Sequence, residues 1–254
     1  MSAAGNPAKK QRIDKVLSHM GKGSRSDIRK QAKQGLISVN GAVIKDSGFH
    51  VDPYLDRIEV GGEPVLYREY IYLMMNKPQG VLSATEDKRD RTVLDLLKPE
   101  YAQFEPFPVG RLDKDTVGLL LLTNDGKLAH ELLSPRRHVP KTYEAAVEGE
   151  VDAADVAAFA AGVELEDGYV TLPAQLTVLG RERGSKTLSQ ISLTITEGKF
   201  HQVKRMFLAV GKKVVFLKRV SMGGLQLDES LPPGACRELT AGEMMLLGGG
   251  KAEV

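Results

Sequence analysis

Apolar residues recur along this chain with two periods, one near 3.6 and one of two, and the places where the period changes divide it into elements. Ile13, Val16, Leu17 and Met20 form a helical stripe that begins after Arg12 and is closed by Gly21 and Gly23. Ser24-Arg25-Ser26-Asp27 then offers a capping box: the serine side chain takes a free amide and Asp27 answers three residues later. A second helix is predicted from there to Gln34, stopping at Gly35. From Leu36 to Ile44 the pattern alternates around Asn40-Gly41, the dipeptide of a tight hairpin, because both central residues need positive φ.

Residues 67 to 70 read as a linker, Ile71 to Lys77 as a strand and Pro78-Gln79-Gly80 as a turn. Leu119 to Leu122, followed by Thr123-Asn124-Asp125-Gly126, read as a short buried strand ending in a turn. Further strands are predicted at 142–148, 173–179, 188–196 and 213–220, and helices near 126–133, 152–161, 201–210 and 240–247. Several strands follow one another without a long helix between them. The expected class is therefore α+β, with a mixed, largely antiparallel sheet flanked by helices. The expected organisation is a tail over 1–8, a small domain over 9–66, the linker 67–70, a larger domain over 71–247 and a second tail over 248–254.

Composition narrows the class. With 42% apolar and 27% charged residues the chain is of soluble globular type. No apolar run nears the ~20 residues of a membrane span, and no signal-peptide form is present, so a cytoplasmic location is expected. The single cysteine, Cys236, cannot form an internal disulfide and reads as a small packing residue. No His/Cys cluster has ligand spacing, so no structural zinc is expected.

The net charge of +2 conceals a partition. Residues 1–34 hold nine Lys or Arg against Asp14 and Asp27, and residues 198–220 hold seven and no acid. Residues 144–168 carry eight Asp or Glu and no Lys or Arg, so an acidic back is expected to oppose two basic surfaces. Two basic surfaces apart in sequence suit a polyanion long enough to touch both. On the second predicted helix Arg25, Arg29, Lys30 and Lys33 fall at spacings of three and four and share one face, while Ile28 points elsewhere.

Candidate chemistry centres on Gly110-Arg111-Leu112-Asp113-Lys114-Asp115-Thr116-Val117-Gly118. Asp113 is a carboxylate set among cations and glycines on a loop at the mouth of a sheet, where a core holds the geometry while the loop faces a ligand. An aspartate near glycine can also hold a turn. Asp115, two residues on, admits a glycosidase-like acid/base pair or a role as loop organiser.

The first basic segment, over residues 9–66, resembles the alpha-L RNA-binding module first described in a small-subunit ribosomal protein. The chain as a whole resembles the ribosomal RNA pseudouridine synthases, on the branch of small-subunit pseudouridine synthase A. The residues that carry this are Met75-Asn76-Lys77-Pro78-Gln79-Gly80, Gly110-Arg111-Leu112-Asp113, Lys141-Thr142-Tyr143 and Glu197-Gly198-Lys199-Phe200-His201-Gln202-Val203-Lys204-Arg205-Met206-Phe207. The resemblance implies isomerisation of a uridine to pseudouridine in ribosomal RNA, on the small-subunit branch 16S rRNA. The expected substrate is that RNA or a ribosomal assembly intermediate, and the expected state is a monomer.

Asp113 then corresponds to the family's essential aspartate, Tyr143 to the residue against the target uracil, and Lys204 to the cation paired with Asp113. Arg111 is expected to enter the space left by an extruded nucleotide, and Arg205 to contact RNA together with Arg25, Arg29, Lys30 and Lys33. The reaction breaks C1'–N1, turns the base and joins C5 to C1', without redox change or energy input, so no cofactor and no metal are expected. Asp113 would attack C1' or take a proton in a glycal-type elimination. Two other readings stand beside this one: a large-subunit synthase, and a non-catalytic RNA-binding assembly factor with an inherited fold.

Overall fold

The computed structural model describes residues 10–183 and 187–247. The predicted tails at 1–8 and 248–254 lie outside the described residues. The chain divides at Ile71/Tyr72, and Lys98–Glu105 group with the first unit.

In the first unit β1 (Gln11–Arg12) leads into α1 (Ile13–His19), followed by α2 (Arg25–Lys33) and the short strands β2 (Ile37–Val39), β3 (Ala42–Val43), β4 (His50–Val51), β5 (Ile58–Val60) and β6 (Glu63–Pro64). The capping box forms as predicted, with Ser24 accepting from the Asp27 amide and Asp27 from the Ser24 amide. Asn40 at φ 51° and Gly41 at φ 81° make the predicted hairpin turn between β2 and β3. Ile13, Val16, Leu17 and Ile28 are fully buried in one core with Ile37 and Val51, which is why the basic positions of α2 face outward. The predicted linker is only partly one. Tyr67 packs against this core and its ring meets His19 at a tilt (5.7 Å) and Tyr54 edge-on (5.2 Å), an aromatic contact that a reading of local periodicity does not see. Phe104 meets the His19 ring edge-on at 5.4 Å and lies under the Arg68 guanidinium, which ties Lys98–Glu105 to this unit and corrects their expected place in the second domain.

Beyond the division come β7 (Tyr72–Lys77), α3 (Pro99–Ala102, grouped with the first unit), β8 (Phe107–Pro108), β9 (Val117–Thr123), α4 (Gly126–Leu133), β10 (Lys141–Glu148) and α5 (Ala153–Ala161). After these come β11 (Gln175–Arg183), β12 (Thr187–Ile195), α6 (Gln202–Ala209), β13 (Lys213–Met222), β14 (Leu225–Gln226), β15 (Cys236–Glu238) and α7 (Ala241–Leu246). The sheet of the second unit runs β11-β12-β10-β13-β9-β7-β15, with β14 on β13 and β8 on β9. The β13–β9 pair is parallel and the others antiparallel, as the strand succession predicted.

Leu119 to Leu122 are at most 3% exposed in β9, because this strand is central and covered on both faces. Burying each contributes about 1.5–3 kcal/mol, which anchors the loop just before it. Gly118 permits the parallel contact: a Cβ there would lie 2.3 Å from the Arg219 carbonyl oxygen. Part of the acidic segment meets the second basic run: Asp155 pairs with Lys212 at 2.7 Å, and Glu166 and Asp167 pair with Arg205 at 2.6 Å each.

Candidate active site

The loop before β9 is held by a lysine from the neighbouring strand. Lys77 ends β7 with no exposed surface, and its Nζ donates to the backbone carbonyls of Thr116 (2.8 Å), Asp113 (3.0 Å), Pro78 (3.2 Å) and Lys114 (3.5 Å). One cation thus gathers the carbonyls of Asp113, Lys114 and Thr116 and fixes the turn that presents Asp113. Burial lowers the Lys77 pKa to about 8, against the pull of Asp115 and Asp113 and with the help of Lys204. Ser83 clasps the other side of the loop, accepting from the Leu112 amide at 3.1 Å and donating to its carbonyl at 2.9 Å.

The Asp113 side chain, 28% exposed, meets two groups from the start of α6. Lys204 Nζ donates to Asp113 Oδ2 at 3.0 Å and to Asp115 Oδ1 at 2.6 Å. His201 Nε2 lies 3.4 Å from Asp113 Oδ1, an ion pair when the imidazole is protonated. Burial opposes the Lys204 charge, but the hydrogen bonds to Asp115 and Asp113 outweigh it and raise the pKa of the amine. Asp115 is correspondingly lowered, first by its bond to Lys204. His201 takes a left-handed backbone (φ 48°) just before α6 and stacks on Phe200 with centroids 3.8 Å apart. Gln202 locks this entry, its amide oxygen accepting from the Lys199 amide and its nitrogen donating to Glu197 at 2.7 Å.

Asp113 borders an open cleft of about 910 Å³ within the second unit. Tyr143 on β10 lines it, 8% exposed, and pairs across the sheet with Arg219 of β13. Lys141 lines the cleft too, as does Arg111. The structure therefore brings Asp113, Tyr143 and Lys204 to one cavity. Arg111 is exposed at its edge and, among the described residues, nothing pairs with it. Arg25, Arg29, Lys30 and Lys33 lie exposed on α2 in the first unit.

Arg205, expected as an RNA contact, already has partners of its own: its side chain is 14% exposed and bonds to Glu166 through Nε and to Asp167 through Nη2, whose side chains are 68% and 55% exposed. Sequence reasoning also gave no role to Lys77, His201, Lys141 or Arg219. Lys77, His201 and Lys141 stand inside the motif blocks, but a lysine next to a turn reads as a surface residue, and the partners of Lys77 lie up to 39 residues away.

Residues 71–209 match the RNA pseudouridylate synthase family, and residues 11–53 match the S4 domain. The chain is 55% identical to the uncharacterized RNA pseudouridine synthase YtzG of Bacillus subtilis over 93% of this chain and 98% of that protein. It is 40% identical to ribosomal large subunit pseudouridine synthase B of Bacillus subtilis (93% and 95% covered) and 39% identical to ribosomal small subunit pseudouridine synthase A of Salmonella typhimurium (93% and 100% covered). A crystal structure of a pseudouridylate synthase, 36% identical, superposes with a TM-score of 0.64 over 93% of this chain and 99% of that one. With the fold, the cavity and this likeness over nearly its whole length in agreement, the chain belongs to the RNA pseudouridine synthase family and carries an S4 domain at its N-terminal end.

Proposed function

We propose that this synthase isomerises one uridine of 16S ribosomal RNA, working as a monomer in the cytoplasm, with Asp113 as the essential carboxylate. The observation that carries the assignment of roles is the meeting of Asp113, Lys204 and Tyr143 at one open cleft from three separate elements. Lys204 holds the Asp113 carboxylate by a 3.0 Å hydrogen bond, placed to attack C1' or to take a proton in the glycal route. Tyr143 presents its ring to the uracil, where it can stack while the base turns.

A base inside a helix is out of reach, so the target uridine is taken from a loop or flipped out, at a cost of a few kcal/mol. Arg111, exposed and without an internal partner among the described residues, fills the vacated space. Phosphate contacts along α2 offset the cost.

The wording His201-Gln202-Val203-Lys204-Arg205-Met206 supports the small-subunit branch, since large-subunit relatives more often carry Asn-Arg before the Gln and Arg in place of this Lys. A second reading, a large-subunit site, draws support from the 40% identity to a large subunit synthase B. Mapping pseudouridines in both rRNAs from a strain lacking this protein tests the choice. One modification missing from 16S rRNA is expected, and one missing from 23S rRNA alone would reassign the substrate. Tritium release from C5-labelled uridine in rRNA tests the role of Asp113: Asp113→Asn should release none, and release equal to the native protein would remove this carboxylate from the mechanism.

A further inference from the structure

The floor of the cleft holds two cations for which the described residues supply no counter-charge. Arg219 is 2% exposed; its Nε donates to the Leu119 carbonyl at 2.8 Å, and its Nη2 has no partner. Lys141 is partly buried and donates to the Val139 carbonyl at 3.0 Å, with no carboxylate of the described residues in contact. Its pKa is lowered, first by burial and then by the nearby positive charge of Arg219. The carboxylates of the cleft are engaged elsewhere. Asp113 faces Lys204 and His201, while Glu197 accepts from Tyr169, the Leu172 amide and Gln202. A buried guanidinium next to a second cation is costly unless something neutralises it, so the arrangement calls for an anion in the cleft.

Position says which anion. Arg219 stands directly across the sheet from Tyr143, and Lys141 precedes Tyr143 by two residues on the same strand, so both flank the ring that receives the base. A phosphodiester belongs to a chain that runs over the protein surface, whereas the base of a flipped nucleotide reaches deepest. On either route through Asp113 the electron pair of the broken C1'–N1 bond goes to N1, and the detached base is a uracil anion whose charge spreads over N1, O2 and O4. C5 of that anion then attacks the sugar carbon, displacing the Asp113 carboxylate from C1' on the first route or adding to the glycal as C2' regains its proton on the second; the proton on C5 is lost last and N1 takes one up.

We propose that Lys141 and Arg219 form an electrostatic site for the uracil anion, stabilising it as C1'–N1 breaks and holding it while it turns. This rests on the reading of Tyr143 as the residue that faces the base. Fixed cations aimed at charge that develops only during reaction raise the rate of cleavage more than they raise affinity for the substrate. That separates this role from a grip on phosphate.

The test uses the full chain with an rRNA fragment carrying the target uridine. Lys141→Met should lower the single-turnover rate at saturating RNA by about 10- to 100-fold while changing Kd by less than about threefold. Lys141→Arg should restore most of the rate. When the target is 5-fluorouridine, whose fluorine makes N1 a better leaving group, the deficit of Lys141→Met in consuming the nucleoside should shrink several-fold. Should Lys141→Met unfold, Lys141→Gln provides the same comparison. A deficit of equal size with both bases would overturn the proposal, as would a loss confined to Kd. If the native protein left the target uridine unchanged, the reading beneath would fall and this inference with it, an outcome visible before any variant is compared.

Discussion

The ammonium of Lys204 lies 3.0 Å from the Asp113 carboxylate, joining the first turn of α6 to a loop 91 residues earlier in the chain. The same ammonium is 2.6 Å from Asp115, so it balances two negative charges, and the shorter bond goes to the more exposed carboxylate. Removing the cation takes away the donor shared by Asp113 and Asp115 and loosens the aim of the Asp113 carboxylate. Lys204→Met is expected to lower kcat by about 10- to 1000-fold, and Lys204→Arg to recover part of it. Asp115→Asn, which leaves the Lys204–Asp113 bond in place, should cost less than about fivefold. Single-turnover conversion of the target uridine measures all three, and an Asp115→Asn defect as deep as that of Lys204→Met would make the pair, rather than Asp113, the working unit.

Lys77 makes stability depend on pH in a definite direction. Its amine falls from 10.5 in the unfolded chain to about 8 in the fold, so between those values the unfolded state binds the extra proton. Stability therefore gains with rising pH across that window, with a slope of at most about 1.4 kcal/mol per pH unit. Urea unfolding from pH 7 to 10.5 should show this gain relative to Lys77→Met, in which the slope is lost. The variant should also lose activity, because the carbonyls of Asp113, Lys114 and Thr116 lose their common donor.

Much of this architecture is legible in the sequence because its determinants are local. The Ser24–Asp27 box, the Asn40-Gly41 turn and the leucine run of β9 each declare themselves within a few residues. The meeting of Asp113 with Lys204 was legible only through family resemblance, since no spacing links residues 91 apart. What stayed hidden depends on partners from distant elements. Lys77 looks like any strand-end lysine until the carbonyls around it are known, and the pairing of Arg205 with Glu166 and Asp167 from the turn after α5 cannot be read from spacing. Tyr67 likewise sits in a polar stretch that reads as linker, and only the packing of His19 and Tyr54 against its ring reveals it as part of the first unit.

Gly118 should prove more sensitive to substitution than glycines on open turns. Its φ of +99° disfavours any side chain, and an added Cβ would lie 2.3 Å from the backbone oxygen of Arg219 in the paired strand. Gly118→Ala must part β9 from β13 or distort the loop, and a loss of about 3 kcal/mol or more is expected. Gly80 has φ +89° but nothing within 4 Å of a Cβ, so Gly80→Ala should cost about 1–2 kcal/mol through the backbone alone. Urea denaturation of the two variants gives the comparison, and equal losses would mean that the β9–β13 contact relaxes freely.

Cations on the two basic runs differ in the charge they can offer to RNA. Arg29 and Lys33 stand exposed on α2 without a carboxylate partner among the described residues, whereas Arg205 is already neutralised by Glu166 and Asp167. A phosphate contact releases counterions, so each one lost should reduce the slope of log K against log salt by about 0.7–0.9. Arg29→Gln with Lys33→Gln should therefore flatten the salt dependence of rRNA binding by about 1.4–1.8 and weaken binding most at low salt. Arg205→Gln should leave the slope unchanged, because a guanidinium bonded to two carboxylates carries little net charge to the RNA, although its loss frees Glu166 and Asp167 to repel the backbone. Binding isotherms at several salt concentrations decide the matter. A flatter slope for Arg205→Gln than for the α2 pair would mean that RNA displaces Glu166 and Asp167 and takes Arg205 for itself.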